Sequence, residues 1–396
     1  MNSRLLRVHV MGAVIIIGSG SFVGSAHAQN SVTMYGQIDD ALTYSSNQKG
    51  HSNLYLRQGN LYNSKWGIRG SEDLGGGLNV IFDLQNGFDP NNGALGASGL
   101  IFNRQAFFGL KSASYGTLTA GRQYTPYYQF VGPLASAAWE TGAVGAHPGD
   151  IDGLDIVIRA NNSLNYTSPV WRGIQASVMY AFSNIAGSMG RGQTFSGALR
   201  YNNGPLSLAA GYLQISNAET TETGFDSASS ASYLTSAVNA GYLSSKSVRY
   251  TSLAGNYNFG SLTAGLNYSN VRYTPDAHSV FTTTAVFNTY AALLAYKFSS
   301  TFDVAGSYSY TYASKANGIS DPAKYHQIVF RESYHLSRRT TLYAAEGYQH
   351  ASGKTLGSSG AGNIVSAVAS VGDSQDSTPS SGPGQFVGMA GICVSF

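Results

Sequence analysis

The sequence predicts an all-β protein, a closed barrel of sixteen antiparallel strands that crosses a membrane. Three observations lead to this prediction. First, charged residues make up only 11% of the 396 residues, against about 25% in average soluble proteins, and small polar residues and tyrosine replace them. Second, segments of about ten residues alternate apolar and small polar side chains, which is the pattern of transmembrane β-strands. Third, long and short connections between these segments alternate along the whole chain.

The N-terminus carries the pattern of a secretory signal peptide. Arg4 and Arg7 give a positive start, a mostly apolar or small stretch follows, and an A-x-A cleavage pattern ends at Ala28. Residues 1–28 are therefore expected to be removed, leaving 29–396 as one barrel domain. Without the two arginines the 23 basic residues become 21, against 20 acidic ones. This near-neutral balance gives no general affinity for nucleic acid.

Alternation with a period of two defines the individual strands. In one segment Leu262, Ala264 and Leu266 share an apolar face, while Thr263 and Gly265 lie on the opposite face. Lipid outside and water inside a barrel explain such strands, and closure is required because hydrocarbon offers no partner for unpaired backbone groups. The predicted strands are 31–44, 63–71, 76–88, 101–112, 115–124, 161–168, 173–183, 194–202, 205–215, 248–258, 261–271, 286–298, 301–313, 323–334, 339–349 and 385–396.

The connections fall into two length classes, which predict the orientation of the barrel. Tight turns such as Asn203-Gly204 lie on the side of both termini and are predicted to be periplasmic, whereas the long loops are predicted to be extracellular. The last long loop, rich in Ser and Gly, is predicted to be mobile and surface-exposed. The predicted long loops are 45–62, 89–100, 125–160, 184–193, 216–247, 272–285, 314–322 and 350–384.

Several motifs resemble those of the general trimeric porins of Gram-negative outer membranes, in particular the β-proteobacterial branch. These are SVTMYGQID at 31–39, SKWGIRGSEDLG at 64–75, NRQAF at 103–107, YGTLTAGRQ at 115–123 and the terminal Phe396. The resemblance implies a homotrimer among outer-membrane lipid and lipopolysaccharide, and a third loop folded into the lumen as a constriction. It also implies passive diffusion of small hydrophilic solutes and ions, and recognition of the Phe396 strand by the barrel-assembly machinery.

Charged residues are the candidates for pore selectivity. The third loop, 125–160, contains four acids and, near its end, one basic residue; the acids are Glu140, Asp150, Asp152 and Asp155. The resemblance suggests a basic wall opposite this loop, formed by Lys65, Arg69, Arg104 and Arg159, with Arg122 as a further candidate. A positive wall facing a negative loop would create a transverse field and a weak, slightly anion-favouring selectivity. Alternatively, these charges only solvate the polar interior.

The position of a residue along its strand predicts whether its side chain points toward lipid or toward the lumen. This parity changes the expected role of some candidates. Arg122 shares the parity of the apolar side of its strand, so a subunit contact is an equal alternative to a pore role. Asp39 and Asp83 have lumenal parity and are expected to line the lumen away from its narrowest point. Asp40 has outward parity, so its carboxylate would face lipid, which is unfavourable. A subunit interface or a bulge at this position would remove the conflict.

The final strand departs from the pattern of the family it resembles. That pattern has a basic, histidine-containing run before the terminal Phe, whereas this chain has Cys393 and Ser395 at the lumenal positions. The periplasmic mouth is therefore expected to favour anions less. Cys393 either lines the lumen as a free thiol or is inert, and inertness is the preferred interpretation. Ile392, Val394 and Phe396 share the outward parity.

Other functional classes fit the sequence less well. A barrel enzyme would need a nucleophile or activated water beside His and a carboxylate, and neither G-x-S-x-G nor H-E-x-x-H is present. No enzyme activity, cofactor or metal is expected. A secreted β-protein or adhesin would leave the alternating loop lengths unexplained. A substrate-selective porin remains the alternative to general diffusion, since loop positions decide affinity.

Overall fold

A computed structural model describes residues 31–155, 158–187, 190–218, 220–221, 224–225, 236–374 and 379–396. The expected signal peptide lies outside the described residues. Every pairing between neighbouring strands is antiparallel, and the first strand pairs with the last from Gln37↔Ser395 to Ser45↔Val387, which closes the sheet. The barrel strands are β1 Ser31–Gln48, β2 Lys65–Asp73, β3 Leu78–Gly87, β4 Gln105–Ser112, β5 Gly116–Tyr124, β6 Arg159–Thr167, β7 Ile174–Ala181, β8 Thr194–Asn203, β9 Leu206–Ser216, β10 Ser247–Phe259, β11 Leu262–Thr274, β12 Ala285–Lys297, β13 Phe302–Ala313, β14 Lys324–His335, β15 Thr340–Ser352 and β16 Gly384–Ser395.

The sixteen-stranded barrel confirms the prediction from the alternating pattern. Along β11, Leu266 is 69% exposed on the outside, while the intervening Asn267 and Ser269 are buried on the lumenal side. The outward parity of Ile392 and Val394 is also present, since both are exposed beside the terminal Phe396. An apolar outside and a polar inside are what a transmembrane barrel requires.

The first connection differs from its prediction as a long loop over 45–62. β1 continues to Gln48, turns at Lys49-Gly50, and is followed by an accessory strand, His51–Gln58, that pairs with the upper half of β1. Both turn residues have positive φ, 52° and 101°, which Gly50 adopts without steric cost. The accessory strand places Leu56 outside and Arg57 inside, so it continues the wall of the barrel upward.

The third loop folds into the lumen, as the resemblance implied. It contains three short helices, α1 Pro126–Val131, α2 Ser136–Trp139 and α3 Gly142–Gly145. Thr125 caps α1 by accepting a hydrogen bond from Tyr128 N at 3.3 Å, the usual role of a threonine before a helix. No helix in the described ranges is long and apolar enough to cross a membrane.

Loop 3 packs against β9 and β10, in the wall of the barrel opposite β1–β5. Tyr127 is fully buried, and its hydroxyl lies 2.6 Å from Ser252 Oγ on β10. Gly211 on β9 allows this approach, because a Cβ there would lie 2.9 Å from both Tyr127 and Val131 side-chain atoms. Loop 3 therefore narrows the lumen from the β9–β10 side.

The last loop is mostly surface-exposed over 357–366, as its composition predicted, but its residues around 367–373 are mostly buried. Ala369, Val371 and Asp373 are buried. Gly372 O accepts a hydrogen bond from Gly149 N in loop 3 at 2.8 Å, and Gly372 N donates to Gln327 Oε1 at 3.1 Å. The prediction of surface exposure was wrong for this part, because small residues such as Gly372 also let the backbone pack closely against loop 3 inside the barrel.

Candidate functional site

A cluster of cations lies on the lumenal wall formed by β2 to β6. Arg104 and Arg159 place their guanidinium carbons 5.9 Å and 5.3 Å from the ring centroid of Tyr124. Arg104 Nε also donates to Gln85 Oε1 at 3.0 Å. Lys65 lies within electrostatic reach of both arginines. The fold therefore brings together three residues of the basic wall, and we refer to Lys65, Arg104 and Arg159 as the basic cluster.

Arg69 lies along the same wall, toward the periplasmic end of β2. Its guanidinium carbon is 5.0 Å from the ring centroid of Tyr35. The Tyr35 hydroxyl donates to Asp83 Oδ1 at 2.5 Å and accepts from Gln85 Nε2 at 2.9 Å. Because Gln85 also accepts from Arg104, a continuous polar chain links Arg69 and Asp83 to the basic cluster.

Arg122 keeps outward parity and lies at an irregularity in the sheet. The pairing of β5 with β6 shifts register between Gly121 and Gln123. Arg122 Nε donates to Asn103 O at 2.7 Å, and its Nη1 donates to the Asn161 side chain. Its guanidinium is therefore held by the β3–β4 connection and by β6, and it lies within electrostatic reach of Arg159.

Asp155 is the loop 3 acid that faces the cations. Arg57, Arg104 and Arg159 all attract its carboxylate, while Asp373 from the last loop repels it. Burial and the neighbouring Asp373 raise the pKa of Asp155 to about 7, as expected for a desolvated carboxyl beside another carboxylate.

The other three acids of loop 3 are buried and bind protein groups. Asp152 Oδ2 lies 2.6 Å from His147 Nδ1 and accepts from Ser269 Oγ at 2.6 Å. Burial alone would raise the pKa of Asp152, but His147 and these hydrogen bonds lower it. Glu140 Oε2 accepts from Ser307 Oγ at 2.9 Å, and burial raises the Glu140 pKa well above its usual range. These contacts fasten the loop to β11 and β13.

Asp150 is also buried, at the turn that precedes Asp155. Its Oδ1 accepts a hydrogen bond from Asp155 N at 3.1 Å. Burial first, and then repulsion by Asp155 and Asp152, raise the Asp150 pKa well above its usual range. Asp150 thus shapes the loop that presents Asp155.

Asp39 lies on the lumenal side of β1 but is fully buried. Its carboxylate accepts from Tyr343 Oη and from Tyr62 N, each at 2.6 Å. These bonds hold the segment that joins the accessory strand to β2. Cys393 on the neighbouring strand is 3% exposed, which favours the inert interpretation over a thiol open to the lumen.

An ion pair between Arg57 and Asp373 was missed by sequence reasoning. Arg57 Nη2 lies 2.8 Å from Asp373 Oδ1, and both side chains are buried. The predicted loops 45–62 and 350–384 contain these two residues. The alternation of Leu54, Tyr55, Leu56 and Arg57 was the available sequence signal for the accessory strand, whereas no pattern marked Asp373.

A second missed cluster lies near the periplasmic ends of β13 and β14. Asp303 accepts from Arg331 Nη2, and its other carboxylate oxygen lies 2.6 Å from His335 Nε2. All three have lumenal parity. Among the residues that the structure describes, no group of three His, Cys, Asp or Glu side chains could hold a metal ion.

Comparison with known protein families gives a match over most of the chain. A model described as Gram-negative porin matches residues 13–354. An outer membrane porin protein of Bordetella pertussis is 31% identical over 252 residues, which cover 57% of this chain and 63% of that protein. Outer membrane porin protein 32 of Delftia acidovorans is 34% identical over 209 residues, which cover 48% of this chain and 56% of that protein. Both alignments therefore span less than two thirds of the relative.

Other matches are longer but less similar. Major outer membrane protein P.IB of Neisseria gonorrhoeae is 27% identical over 315 residues, covering 78% of this chain and 82% of that protein. Among solved structures, an anion-selective porin from Comamonas acidovorans superposes with a TM-score of 0.69 at 23% identity, covering 93% of this chain and all of that one. OmpT of Vibrio cholerae gives 0.62 at 13% identity, covering 93% and 98% of the two chains. These structural likenesses concern the fold.

Proposed function

This chain belongs to the Gram-negative porin family, and we propose that it forms a water-filled channel for passive diffusion of small hydrophilic solutes and ions across the outer membrane. The observation that carries the proposal is a closed barrel with an apolar outside, a polar lumen, and loop 3 docked inside. Such a lumen selects among solutes by its width and by the electric field of its charged side chains. Family and fold favour a channel over an enzyme.

The charges support a weak preference for anions. Asp155 provides the one partly exposed carboxyl of the four in loop 3, and it lies within electrostatic reach of Arg57, Arg104 and Arg159. Lys65 and Arg159 are partly exposed. Glu140, Asp150 and Asp152 are buried against protein, as Arg57 and Arg104 are, so the partly exposed groups contribute most to the field in the aqueous passage. The Comamonas porin that shares this fold is described as anion-selective, which is consistent with the proposal.

Liposome swelling tests the diffusion function. The refolded mature chain, 29–396, would be placed in liposomes exposed to uncharged sugars of increasing mass. Swelling rates that fall smoothly with mass support general diffusion. Liposomes that do not swell even with the smallest sugar would contradict the channel.

A substrate-selective porin is the second candidate, favoured by how much of the lumen is filled. Loop 3 and part of the last loop, 350–384 (loop 8), lie inside the barrel, where they pack in a buried apolar core with Leu213, Tyr250, Phe281 and Tyr325. Saturable uptake of one class of solute in the swelling assay would favour this candidate over general diffusion.

Homotrimer formation is proposed from the outward face near the strand that closes the barrel. Asp40 on β1, Glu332 on β14 and Glu346 on β15 all have outward parity and lie near β16. Carboxylates that face lipid are unfavourable, so a subunit interface on this side would remove the conflict. Cross-linking of the purified protein to a trimer supports the proposal, and a strictly monomeric product contradicts it.

The C-terminal strand is proposed as the segment read by the barrel-assembly machinery. Phe396 N donates to Gly36 O at 2.9 Å, and Gly36 N donates to Phe396 O at 3.0 Å, so the last residue completes the β1–β16 seam. Its ring remains half exposed on the outside. Deletion of Phe396 should lower the amount of folded barrel in cells.

A further inference from the structure

Two histidines lie directly opposite each other on the outside of the barrel. His326 on β14 and His350 on β15 are partners in the strand register, and both are exposed with outward parity. Each lies two residues from the end of its strand on the side of the long loops. Directly opposed side chains of an antiparallel pair have Cβ atoms about 4.5–5.5 Å apart. The fold therefore places two imidazole rings next to each other at the outer rim of the barrel.

Neighbouring tyrosines hold the ring of His326. Its Nδ1 lies 2.7 Å from Tyr308 Oη, and its ring centroid lies 4.7 Å from that of Tyr310. Its Nε2 makes no hydrogen bond within the described part of the chain. Histidines that ligate a metal ion donate their other ring N–H to an outer partner, which fixes the tautomer and the orientation of the ring. When Nδ1–H donates to Tyr308 Oη, the lone pair of Nε2 is left for a metal ion.

The surroundings of His350 leave room for an ion. Its register partner on the other side is Gly384 on β16, which has no side chain to occupy the space beside the imidazole. The nearest cation on the outward face of β14 is Lys324, two residues before His326. Lys324 Nζ lies 3.3 Å from Asp321 Oδ1, and this ion pair offsets the lysine charge. A positive ion beside the two histidines is therefore not opposed by an unpaired lysine.

We propose that His326 and His350 bind a divalent transition-metal ion of the copper, nickel or zinc class. Imidazole nitrogen suits these metals, whereas calcium and magnesium prefer oxygen ligands. Metal–nitrogen bonds are about 2.0–2.1 Å long, so two ligating nitrogens lie at most about 4 Å apart, a separation that opposed imidazoles can reach. Water completes the coordination, because no third His, Cys, Asp or Glu of the described residues joins the pair. The inference goes beyond the proposed diffusion function and does not depend on conduction.

Titration of the untagged, refolded mature chain with copper(II) in detergent tests the proposal. Copper is the probe because it binds such nitrogen sites most tightly among these metals and because electron paramagnetic resonance reports its nitrogen ligands. Wild type should bind one copper ion tightly per chain, with coupling to two imidazole nitrogens. Excess zinc should displace the copper, and excess magnesium should not.

Three variants test the individual contacts. Loss of the outer partner of a ligating histidine typically costs about 10–100-fold in metal affinity, so Y308F should bind copper at least about ten-fold more weakly. H326Q and H350Q each remove a ligand, should lose more affinity than Y308F, and should lose the two-nitrogen signal. Both histidines are exposed, so these substitutions should leave the barrel folded, and the conductance of H326Q and H350Q should match wild type.

Two other histidines supply matched controls. His278 is exposed in the loop between β11 and β12, and His335 lies in the lumen with its Nε2 2.6 Å from Asp303 Oδ2. H278Q and H335Q should both retain wild-type copper binding.

Three results would overturn the proposal: wild-type affinity in H326Q and H350Q, an equal loss in H278Q, or a loss confined to H335Q, which would place the ion in the lumen. A channel that conducts without binding copper refutes only this inference. A barrel that binds copper at His326 and His350 without conducting refutes only the proposed diffusion function.

Discussion

At the scale of single residues, Tyr124 organises the positive side of the lumen. Its ring centroid lies within 6 Å of the guanidinium carbons of both Arg104 and Arg159, which favours both cations by cation–π attraction. Gln85 joins Arg104 to Tyr35. The positions of these cations are therefore set by neighbouring side chains, which makes their effect on ion selectivity accessible to single substitutions.

Replacing Arg104 by Gln should shift the channel's preference toward cations. A unit charge changes the energy of an ion about 4 Å away by about 1 kcal/mol in water, equivalent to about a five-fold change in local anion concentration. The reversal potential in a KCl gradient measures the shift. Lys111, exposed with lumenal parity at the periplasmic end of β4, supplies the control K111Q, for which a smaller shift is expected. An unchanged reversal potential in R104Q would exclude Arg104 from the constriction.

Anion preference should rise as the pH falls from 8 to 6. Burial and Asp373 raise the Asp155 pKa to about 7, so Asp155 is charged above that pH and neutral below it. Protonation removes the negative charge facing Arg57, Arg104 and Arg159. Reversal potentials across this range should show the change in wild type and a much smaller one in D155N. Identical pH profiles of the two proteins would show that Asp155 does not titrate there.

At the scale of elements, loop 3 and part of loop 8 fill some of the space inside the barrel. Loop 3 packs on β9 and β10 through Tyr127, while loop 8 reaches it through Gly372. The ion pair between Arg57 and Asp373 ties loop 8 to the accessory strand. The two loops and the accessory strand are therefore connected to one another inside the barrel.

Breaking the ion pair should release loop 8 and widen the passage. D373N leaves Arg57 buried with a weaker partner, and loss of one partner of a buried pair typically costs about 3–5 kcal/mol. Single-channel conductance should increase or fluctuate between levels. D321N provides the matched control, because it removes an exposed ion pair with Lys324 on the outside of the barrel. Wild-type conductance in D373N would show that the pair does not hold the loop.

Filling the space at Gly211 should loosen loop 3. In G211A the new Cβ would lie 2.9 Å from Tyr127 and Val131 atoms, and such overpacking costs about 1–3 kcal/mol. Lower thermal stability and a higher conductance are expected. G197A is the control, because a Cβ at Gly197 meets nothing closer than 3.9 Å. Equal melting temperatures of the two variants would argue against the tight contact.

The strands were predictable from sequence, and the loop contacts were not, for a physical reason. Strand parity is imposed locally by lipid on one side and water on the other, so Leu266 and Ser269 reveal their faces without knowledge of any partner. By contrast, the contacts of the loop charges join residues that are far apart in the sequence. Asp152 accepts a hydrogen bond from Ser269, 117 residues away, and the partners Arg57 and Asp373 are 316 residues apart. The Ser and Gly content of the 350–384 loop therefore did not reveal that part of it is buried.

At the scale of the whole molecule, the outside of the barrel is divided into two faces. Near the β16–β1 seam it carries the outward acids Asp40, Glu332 and Glu346, which suit a subunit interface. Across the barrel it carries an apolar groove of about 810 Å³ lined by residues such as Ala210, Leu253 and Leu266, as a lipid-facing wall does. This division predicts that the groove remains on the outer perimeter of a trimer.

Planar-bilayer conductance of the refolded mature chain in a salt gradient tests the central claim most directly. Stepwise openings, in triplets for a trimer, with a reversal potential that weakly favours anions are expected. Steps with a cation-favouring potential would contradict the assignment of the basic cluster to the constriction. A folded barrel that inserts into the bilayer and never conducts would contradict the channel itself.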